Sequence, residues 1–513
     1  MSHQMDDPSE NPSRVDNRAY NQTGGGSTKQ DRGTGSIYLL RISEKTADRR
    51  NEGKVTIETL PEEILLEMFA FYMCKVSRND EWRTLVHVCR SWRSIVFAAP
   101  RRLNLQLVCT SKTPTRQMLD IWPALPINVL LSGRCAEIND NVLAALEDRD
   151  RICAVRIHHV YNDEIQKLAR AMQVTFPALT DLDVETFFNT GSFPESLLGG
   201  SAPNLRSLRL ANIAFSTLPK LLLSYPYLVK FSVSENYYHE STYVSSDVMV
   251  DCLPSLTRLE HLRIEFQPFS DGVSRRPPPL TRTVFPVLGT LILKGITKYL
   301  DQLLAHIEAP RLNYVNIKFV GPPDFGISRI ARCICHTEPF EAFDETYMYF
   351  CNVFFNVVLS SRKGTLGGKM LTLSIRWEDS GWKLLELTQD SCNPFFEPSN
   401  PWAFQAAYLP SWARDLGNAP WLHLLRFFTT TEYLYLTQGF AKCVAPALQE
   451  LTGAGVTDVL PILRNIFIKR LDSLGPVRQA LGKFVASRQL YSGHAIDVQC
   501  WVVDEDIDGS RRR

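Results

Sequence analysis

The chain of 513 residues is 44% hydrophobic and 22% charged, enough apolar content to bury a large core in more than one structural unit. Its 56 basic and 55 acidic residues leave a net charge of +1, which argues against a global field that would select nucleic acid or a membrane surface. The 12 cysteines are scattered without paired spacings, so reduced, mostly buried thiols are predicted rather than a disulfide framework.

In chain order, residues 1–54 come first, carrying Asn11-Pro12-Ser13, Gly24-Gly25-Gly26-Ser27 and mixed charges with few apolar side chains. Such a segment cannot offset its ordering entropy, and it is predicted to be a disordered tail. The start lacks a charged and apolar signal segment, and no apolar run reaches the length of a membrane span. The expectation is a protein of the cytoplasm and/or nucleus, in which the sequon Asn21-Gln22-Thr23 stays unmodified.

Residues 59–100 form the most informative block. Thr59 can cap a helix with Glu62 reaching back, and Pro61 suits its first turn. Ile64, Leu65, Met68, Phe69 and Tyr72 recur at helical spacing, with Glu62, Glu63 and Glu67 on the other face. After the polar break Ser77-Arg78-Asn79-Asp80, a second pattern of Trp82, Leu85, Val86, Cys89, Trp92, Ile95 and Val96 runs to Pro100. Two or three short helices are predicted. A unit of about 45 residues has too small a core to stand alone, so its surplus apolar surface should pack on the rest of the chain and on another protein.

This block resembles the F-box, whose pattern is Leu-Pro, an apolar amphipathic helix and a Val-Cys-Arg-x-Trp-Arg segment. The matching residues are Leu60-Pro61, Ile64-Leu65-x-x-x-Phe69 and Val88-Cys89-Arg90-Ser91-Trp92-Arg93. The departure is a lengthened polar stretch from Cys74 to Glu81. The resemblance implies an F-box over 58–104 that holds the linker subunit of a cullin-RING ubiquitin ligase through Leu60, Pro61, Ile64, Leu65, Met68, Phe69, Val86, Val88, Cys89 and Trp92. Trp122-Pro123-Ala124-Leu125-Pro126 just beyond it looks like a feature of the large fungal families of F-box proteins.

From 105 to 502 the pattern Pro-x-Leu-x-x-apolar-x-apolar recurs. It appears as Pro177-Leu179-Leu182-Val184, Pro203-Leu205-Leu208-Leu210, Pro226-Leu228-Phe231-Val233, Pro286-Leu288-Leu291-Leu293 and Pro310-Leu312-Val315-Ile317. Pro254-Leu256-Leu259-Leu262-Ile264 is a stretched copy, Ile152-Val155-Ile157 precedes the set, and Met370-Leu373-Ile375, Leu434-Leu436 and Pro461-Leu463-Ile466-Ile468 follow it. Self-similarity at about 20 to 30 residues predicts a solenoid. Helical patterns at 162–172, 215–224 and 299–307 fill the intervals. The core pattern resembles the leucine-rich repeat, which implies an α/β fold: a short all-α block followed by an irregular solenoid with a curved parallel sheet inside and helices outside.

Residues between core positions on each strand should line the concave face: Asp181, Asp183 and Glu185, then Ser207 and Arg209, Lys230 and Ser232, and His261, Arg263 and Glu265. Lys294, Asn316, Lys318 and Arg376 continue the series. The character shifts from acidic to basic, and Arg209, Lys230, Arg263, Lys294, Lys318 and Arg376 are the candidate target-binding residues, suited to an acidic or phosphorylated peptide. Any solenoid strand also exposes polar residues simply to be solvated.

Residues 320–430 are expected to interrupt the pattern, with loops at Pro322-Pro323, Gly364 to Gly368, Pro394 to Pro401 and Pro410. Their aromatics, Phe350, Phe354, Phe355, Trp377, Trp382, Phe395, Phe396, Trp402 and Trp412, suit core fill or a binding surface. Chemistry is poorly represented. Cys333-Ile334-Cys335-His336 lacks complementary zinc ligands, His158-His159 has no neighbouring Glu motif, and Gly364 to Lys369 lacks the Ser or Thr of a phosphate loop. No catalytic residue, metal or cofactor is predicted. The acidic run 504–508 and Arg511-Arg512-Arg513 make 503–513 a charged tail.

The expected function is a substrate adaptor of an SCF-type ubiquitin ligase, the F-box holding the linker subunit and the repeats an unknown target protein, with no nucleic-acid or membrane partner. The alternative is a leucine-rich-repeat scaffold or receptor that uses the helical block only as an N-terminal cap. Exposure discriminates them: an adaptor leaves Leu60, Pro61, Ile64 and Phe69 accessible, whereas a cap buries them.

Overall fold

The computed structural model describes residues 57, 60–74, 81–99, 106–122, 124–131, 138–187, 193–194, 196–200, 202–213, 218–234, 246–266, 282–320, 345–350, 354–360, 370–376, 403–407, 417–426, 428–453, 455–469 and 475–501. Both tails, the expected cap Thr59, Cys333 to His336, Gly364 to Lys369 and the aromatics between Trp377 and Trp412 (Ala403 to Ala407 apart) lie outside these residues. The chain divides into two units, Met1–Pro61 and Glu62–Arg513. In the first unit, the amide of Leu60 donates to the carbonyl of Ile57, Leu60 is half-buried and Pro61 is exposed.

The second unit opens with three helices, α1 (Glu62–Cys74), α2 (Glu81–Val88) and α3 (Arg90–Ala98). The apolar pattern from Trp82 to Val96 is split at Cys89, whose backbone is extended and whose Sγ accepts the Trp92 amide at 3.4 Å as an N-cap. α1 to α3 belong to the same compact unit as the repeats. Trp82 of α2 explains the continuity: it is buried and meets buried Trp122 edge-on, ring centroids 5.7 Å apart.

The repeats form a mixed α/β fold with one long, mostly parallel sheet, consistent with a leucine-rich-repeat-like solenoid. Its strands begin with β1 (Gln106–Val108), β2 (Ile127–Leu131), β3 (Ile152–Val160), β4 (Asp181–Thr186), β5 (Ser207–Ala211), β6 (Lys230–Ser234) and β7 (His261–Glu265). A short β8 (Thr283–Val284) pairs apart with β10 (Ile307–Glu308), while β9 (Thr290–Gly295) and β11 (Tyr314–Phe319) continue the main sheet. Helices such as α4 (Thr115–Ile121), α5 (Asp140–Glu147), α6 (Asn162–Ala171), α7 (Leu218–Ser224), α8 (Ser246–Cys252) and α9 (Thr297–Ala305) fill the returns.

The repeats from β4 to β11 place two apolar strand residues each in the core. Leu182 and Val184, Leu208 and Leu210, Phe231 and Val233, Leu262 and Ile264, Leu291 and Leu293, and Val315 and Ile317 are all buried. The Pro-x-Leu leucines Leu179, Leu205, Leu228, Leu288 and Leu312 are buried just before the strands. Successive backbone amides then extend the ladder: Thr180 to Cys153 oxygen at 2.8 Å, Arg206 to Thr180 at 2.8 Å, Val229 to Arg206 at 2.7 Å and Glu260 to Val229 at 2.8 Å. Pairing with the next repeat is how each short strand satisfies its edge.

Within 320–430 the described residues contribute four strands to the same sheet: β12 (Glu345–Phe350), β13 (Phe354–Ser360), β14 (Met370–Arg376) and β15 (Ala403–Ala407). They stand in the order β11-β14-β13-β12-β15, with β13 antiparallel to both its neighbours. Because the antiparallel meander has an odd number of strands, β14 runs parallel to β11 and β12 parallel to β15, so the repeat polarity resumes beyond it. The sheet ends with β16 (Tyr433–Leu436), β17 (Asn465–Lys469) and β18 (Asp497–Trp501). Helices α10 (Asn418–Leu425), α11 (Gln438–Gln449), α12 (Gly455–Asp458) and α13 (Gly475–Ser492) accompany these last strands. Among the described residues, no helix is long and apolar enough to cross a membrane.

Candidate partner-binding surfaces

The residues of α1 divide into two stripes. Leu65, Leu66 and Phe69 point into the bundle with Trp82, Leu85, Val86, Ile95 and Val96, all buried. Ile64, Met68, Phe71 and Tyr72, spaced i, i+4, i+7 and i+8, form a second apolar stripe that is 48%, 44%, 64% and 39% exposed. A helix apolar on two faces has more apolar surface than its own bundle can cover. Val88 and Phe97 are exposed as well.

The sequence-predicted contact residues therefore separate by role. Pro61, Ile64, Met68 and Val88 face outward, Leu60, Cys89 and Trp92 are half-buried, and Leu65, Phe69 and Val86 lie in the core. Assigning those last three to direct partner contact is corrected by their burial: they shape the surface from beneath. The Cys-Arg-x-Trp-Arg segment also has internal work. Cys89 caps α3, the Trp92 ring lies 4.6 Å from Phe69, and Arg93 Nε donates to the Val86 carbonyl at 3.0 Å. Leu66 and Phe71 were missed by the spacing argument, because beyond Glu67 the helix has no charged position to fix the stripe.

On the sheet, the face opposite the core follows the strand alternation. Its acidic end is an ion-pair network. Arg209 Nη1 lies 3.2 Å from Asp183 Oδ2, Arg209 Nη2 lies 3.2 Å from Glu185 Oε2, and His158 Nε2 lies 3.2 Å from the same Asp183 oxygen. Burial pushes the Asp183 carboxyl up, but His158 and Arg209 outweigh it and hold the group below its ordinary value. Arg209 is thus engaged with two carboxylates within the sheet while its side chain stays 38% exposed. His159, at φ 62°, occupies the irregularity between Ile157 and Val160, with its ring 5.2 Å from Phe187.

The basic section is organised around Glu265, a nearly buried carboxylate on β7. Arg263 Nε donates to its Oε2 at 2.7 Å and Nη2 donates to the same atom, while Lys318 Nζ donates to Oε1 at 2.9 Å. Lys294 stands between Glu265 and Lys318 in register, and Lys230 is exposed beside His261. Arg376 ends β14, with its side chain outside the described residues. The organising acid was legible as Arg263-x-Glu265, since side chains two apart on a strand share a face. Farther along, Tyr435 and Phe467 on adjacent strands stack at 4.7 Å and 10°.

Burial raises the Glu265 pKa, yet Arg263, Lys318 and their hydrogen bonds prevail and hold it below the usual carboxylate range. A carboxyl held low contributes stability above its unfolded value, about 4.3. That contribution is lost as pH falls through the folded value. Glu265→Gln is therefore expected to destabilise the folded chain by about 1–3 kcal/mol at neutral pH. In paired urea titrations the gap between wild type and variant should narrow as pH drops below about 4. A gap independent of pH would remove the carboxylate from this role.

Cys89, Cys109, Cys153, Cys252, Cys443 and Cys500 form no disulfide, and the described residues include no group of three or more metal-capable side chains. No protein-family model matches the chain, and no curated protein matches it in sequence. Among solved structures, the chain is similar to the leucine-rich repeat-containing protein LegL7 from Legionella pneumophila. The two are 10% identical with a TM-score of 0.25, and the alignment covers 74% of this chain and 97% of that one. At that score the likeness carries no argument of its own, and the repeat reading stands on the strands described above.

Proposed function

We propose that this chain is a substrate-recognition adaptor of an SCF-type cullin-RING ubiquitin ligase, its F-box holding the linker subunit and its repeats holding a target protein. The observation that supports the reading is the second apolar stripe of α1, Ile64, Met68, Phe71 and Tyr72, exposed among the described residues and following the Leu60-Pro61 motif in sequence. Apolar side chains at i, i+4, i+7 and i+8 on a helix are what a partner groove or helix face engages. The chain itself then performs no bond-making step: it holds the target near a conjugating enzyme and raises the effective concentration of the two reactants.

The test is capture of the purified linker subunit by the full chain. Wild type should bind, and Ile64→Asp with Met68→Asp should weaken binding by about 2–4 kcal/mol, the range of interface anchors, without loss of fold. A wild-type chain that never captures the linker subunit ends the adaptor reading. The second reading, a repeat scaffold capped by the helices, is favoured by one observation: Trp82 seals against Trp122 of the first repeat. It requires that charge at Ile64 and Met68 be without effect on every partner interaction.

A further inference from the structure

We propose that the open face of β6, β7, β9 and β11 is a docking strip for an extended acidic segment of a partner protein, its carboxylates met by Lys230, Arg263, Lys294 and Lys318. The inference rests on the reading that the repeats hold the target, and it names that target's chemistry.

The strip is defined by charge and register. These four strands are consecutive neighbours in the sheet. Their sequences, Lys-Phe-Ser-Val-Ser, His-Leu-Arg-Ile-Glu, Thr-Leu-Ile-Leu-Lys-Gly and Tyr-Val-Asn-Ile-Lys-Phe, contain four full cations and a single carboxylate. That carboxylate, Glu265, is nearly buried and shared between Arg263 and Lys318, whose side chains remain 41% and 39% exposed. The acid therefore anchors two of the cations from below, and on these four strands cations outnumber carboxylates four to one. Burial, followed by the Lys230 charge, pulls the His261 imidazole below its ordinary value, against the opposing charge of Glu260 beside it.

The spacing selects an extended segment over a single phosphate. Lys230 sits at the start of its strand, Arg263 at the middle of the next, and Lys294 and Lys318 near the ends of theirs. At about 4.8 Å between strands and 3.3 Å per residue, this diagonal spans roughly 19 Å. One phosphate group reaches a small part of it, whereas an extended chain of about six residues covers all of it. The side-on edge of Arg263 is also occupied, because its Nε and Nη2 both donate to Glu265. The acidic β4, with Asp181, Asp183 and Glu185, sets a boundary that repels the same segment on one side.

The experiment uses the full chain and three fluorescein-labelled probes of equal length: a peptide with alternate glutamates, its glutamine twin, and a neutral peptide with one phosphoserine. Wild type should bind the glutamate peptide at least ~10-fold more tightly than the twin at low salt, with the advantage shrinking as the Debye length falls toward 8 Å. Lys230→Glu with Lys294→Glu should weaken that binding by about 10- to 100-fold, whereas Asp181→Lys leaves it equal or tighter. If the double variant melts early, exposed Lys230→Gln supplies the decisive comparison, with a loss of about threefold. Equal affinity for the glutamine twin, indifference to the lysine changes, or tighter binding of the phosphoserine peptide or of an oligouridylate competitor overturns the proposal. Linker-subunit capture on the same preparations separates the two ideas, since that assay does not use this face.

Discussion

Replacing Arg488 by methionine is expected to destabilise the C-terminal repeats by about 3–5 kcal/mol, the cost of leaving several buried carbonyls without their donor. Arg488 lies on α13 and is 1% exposed. Its Nη1 donates to the carbonyls of Val456 and, at 3.2 Å, Val459, and its Nη2 donates to those of Leu460 at 2.8 Å and Pro461 at 2.5 Å. These carbonyls belong to the end of α12 and the turn after it, where Leu460 takes a left-handed φ of 52°. Burial pulls the guanidinium below its ordinary pKa, yet the carbonyl cage gives the cation its compensation. Methionine fills much of the volume but donates nothing, so up to four carbonyls lose their partner at about 1–3 kcal/mol for each one that stays dry.

Stability in a repeat array is distributed over neighbouring units, so the loss is best read locally. Hydrogen exchange should show lost protection over 455–469 and 475–501, with β4 to β7 nearly unchanged. Arg488→Lys should recover only part of the loss, because one ammonium cannot reproduce the planar fork. Unchanged exchange in the methionine variant would show that the turn holds without its guanidinium.

The second large effect separates the two stripes of α1. Phe69→Ala should cost about 3–5 kcal/mol, the usual price of removing a buried aromatic ring and leaving a cavity. Phe69 is 2% exposed and its ring lies 4.6 Å from that of Trp92, so the loss falls on the junction of α1 and α3. Ile64→Ala, by contrast, removes a side chain that is half in water, and its effect on the isolated chain should stay within about 1 kcal/mol. Linker capture reverses the ranking per unit of stability: Ile64→Ala should weaken capture by about 1–3 kcal/mol in a fully folded protein. Thermal melts and capture measured together decide the matter. If Ile64→Ala proves as destabilising as Phe69→Ala, the outward stripe belongs to the fold and the docking argument loses its surface.

Much of this architecture was legible before any coordinates. The alternation in Leu182-Val184, Leu208-Leu210 and Leu291-Leu293 fixes which side of each strand is buried, because side chains on a strand change face at every residue. The Pro-x-Leu turns set where those strands begin. The F-box resemblance rested on residues that do shape one small bundle, among them Cys89, Trp92 and Arg93. The strands inside 320–430 were not legible for a physical reason: proline and glycine signal a break in the repeat but say nothing of the polarity of the strands between them, and β13 runs antiparallel to β12 and β14.

By itself, then, the sequence determined the periodic core, the helical block and the identity of the charged residues on the sheet's open face, since each depends on spacing along one strand or helix. Only the tertiary structure decided which apolar stripe of α1 is left uncovered, that Arg209 is taken up by Asp183 and Glu185, and that Glu265 ties Arg263 to Lys318. Those outcomes depend on neighbours 24 or more residues away in sequence for Arg209 and 53 for Lys318. An ion pair or a buried face exists only once the register between strands has brought its two halves within a few ångströms.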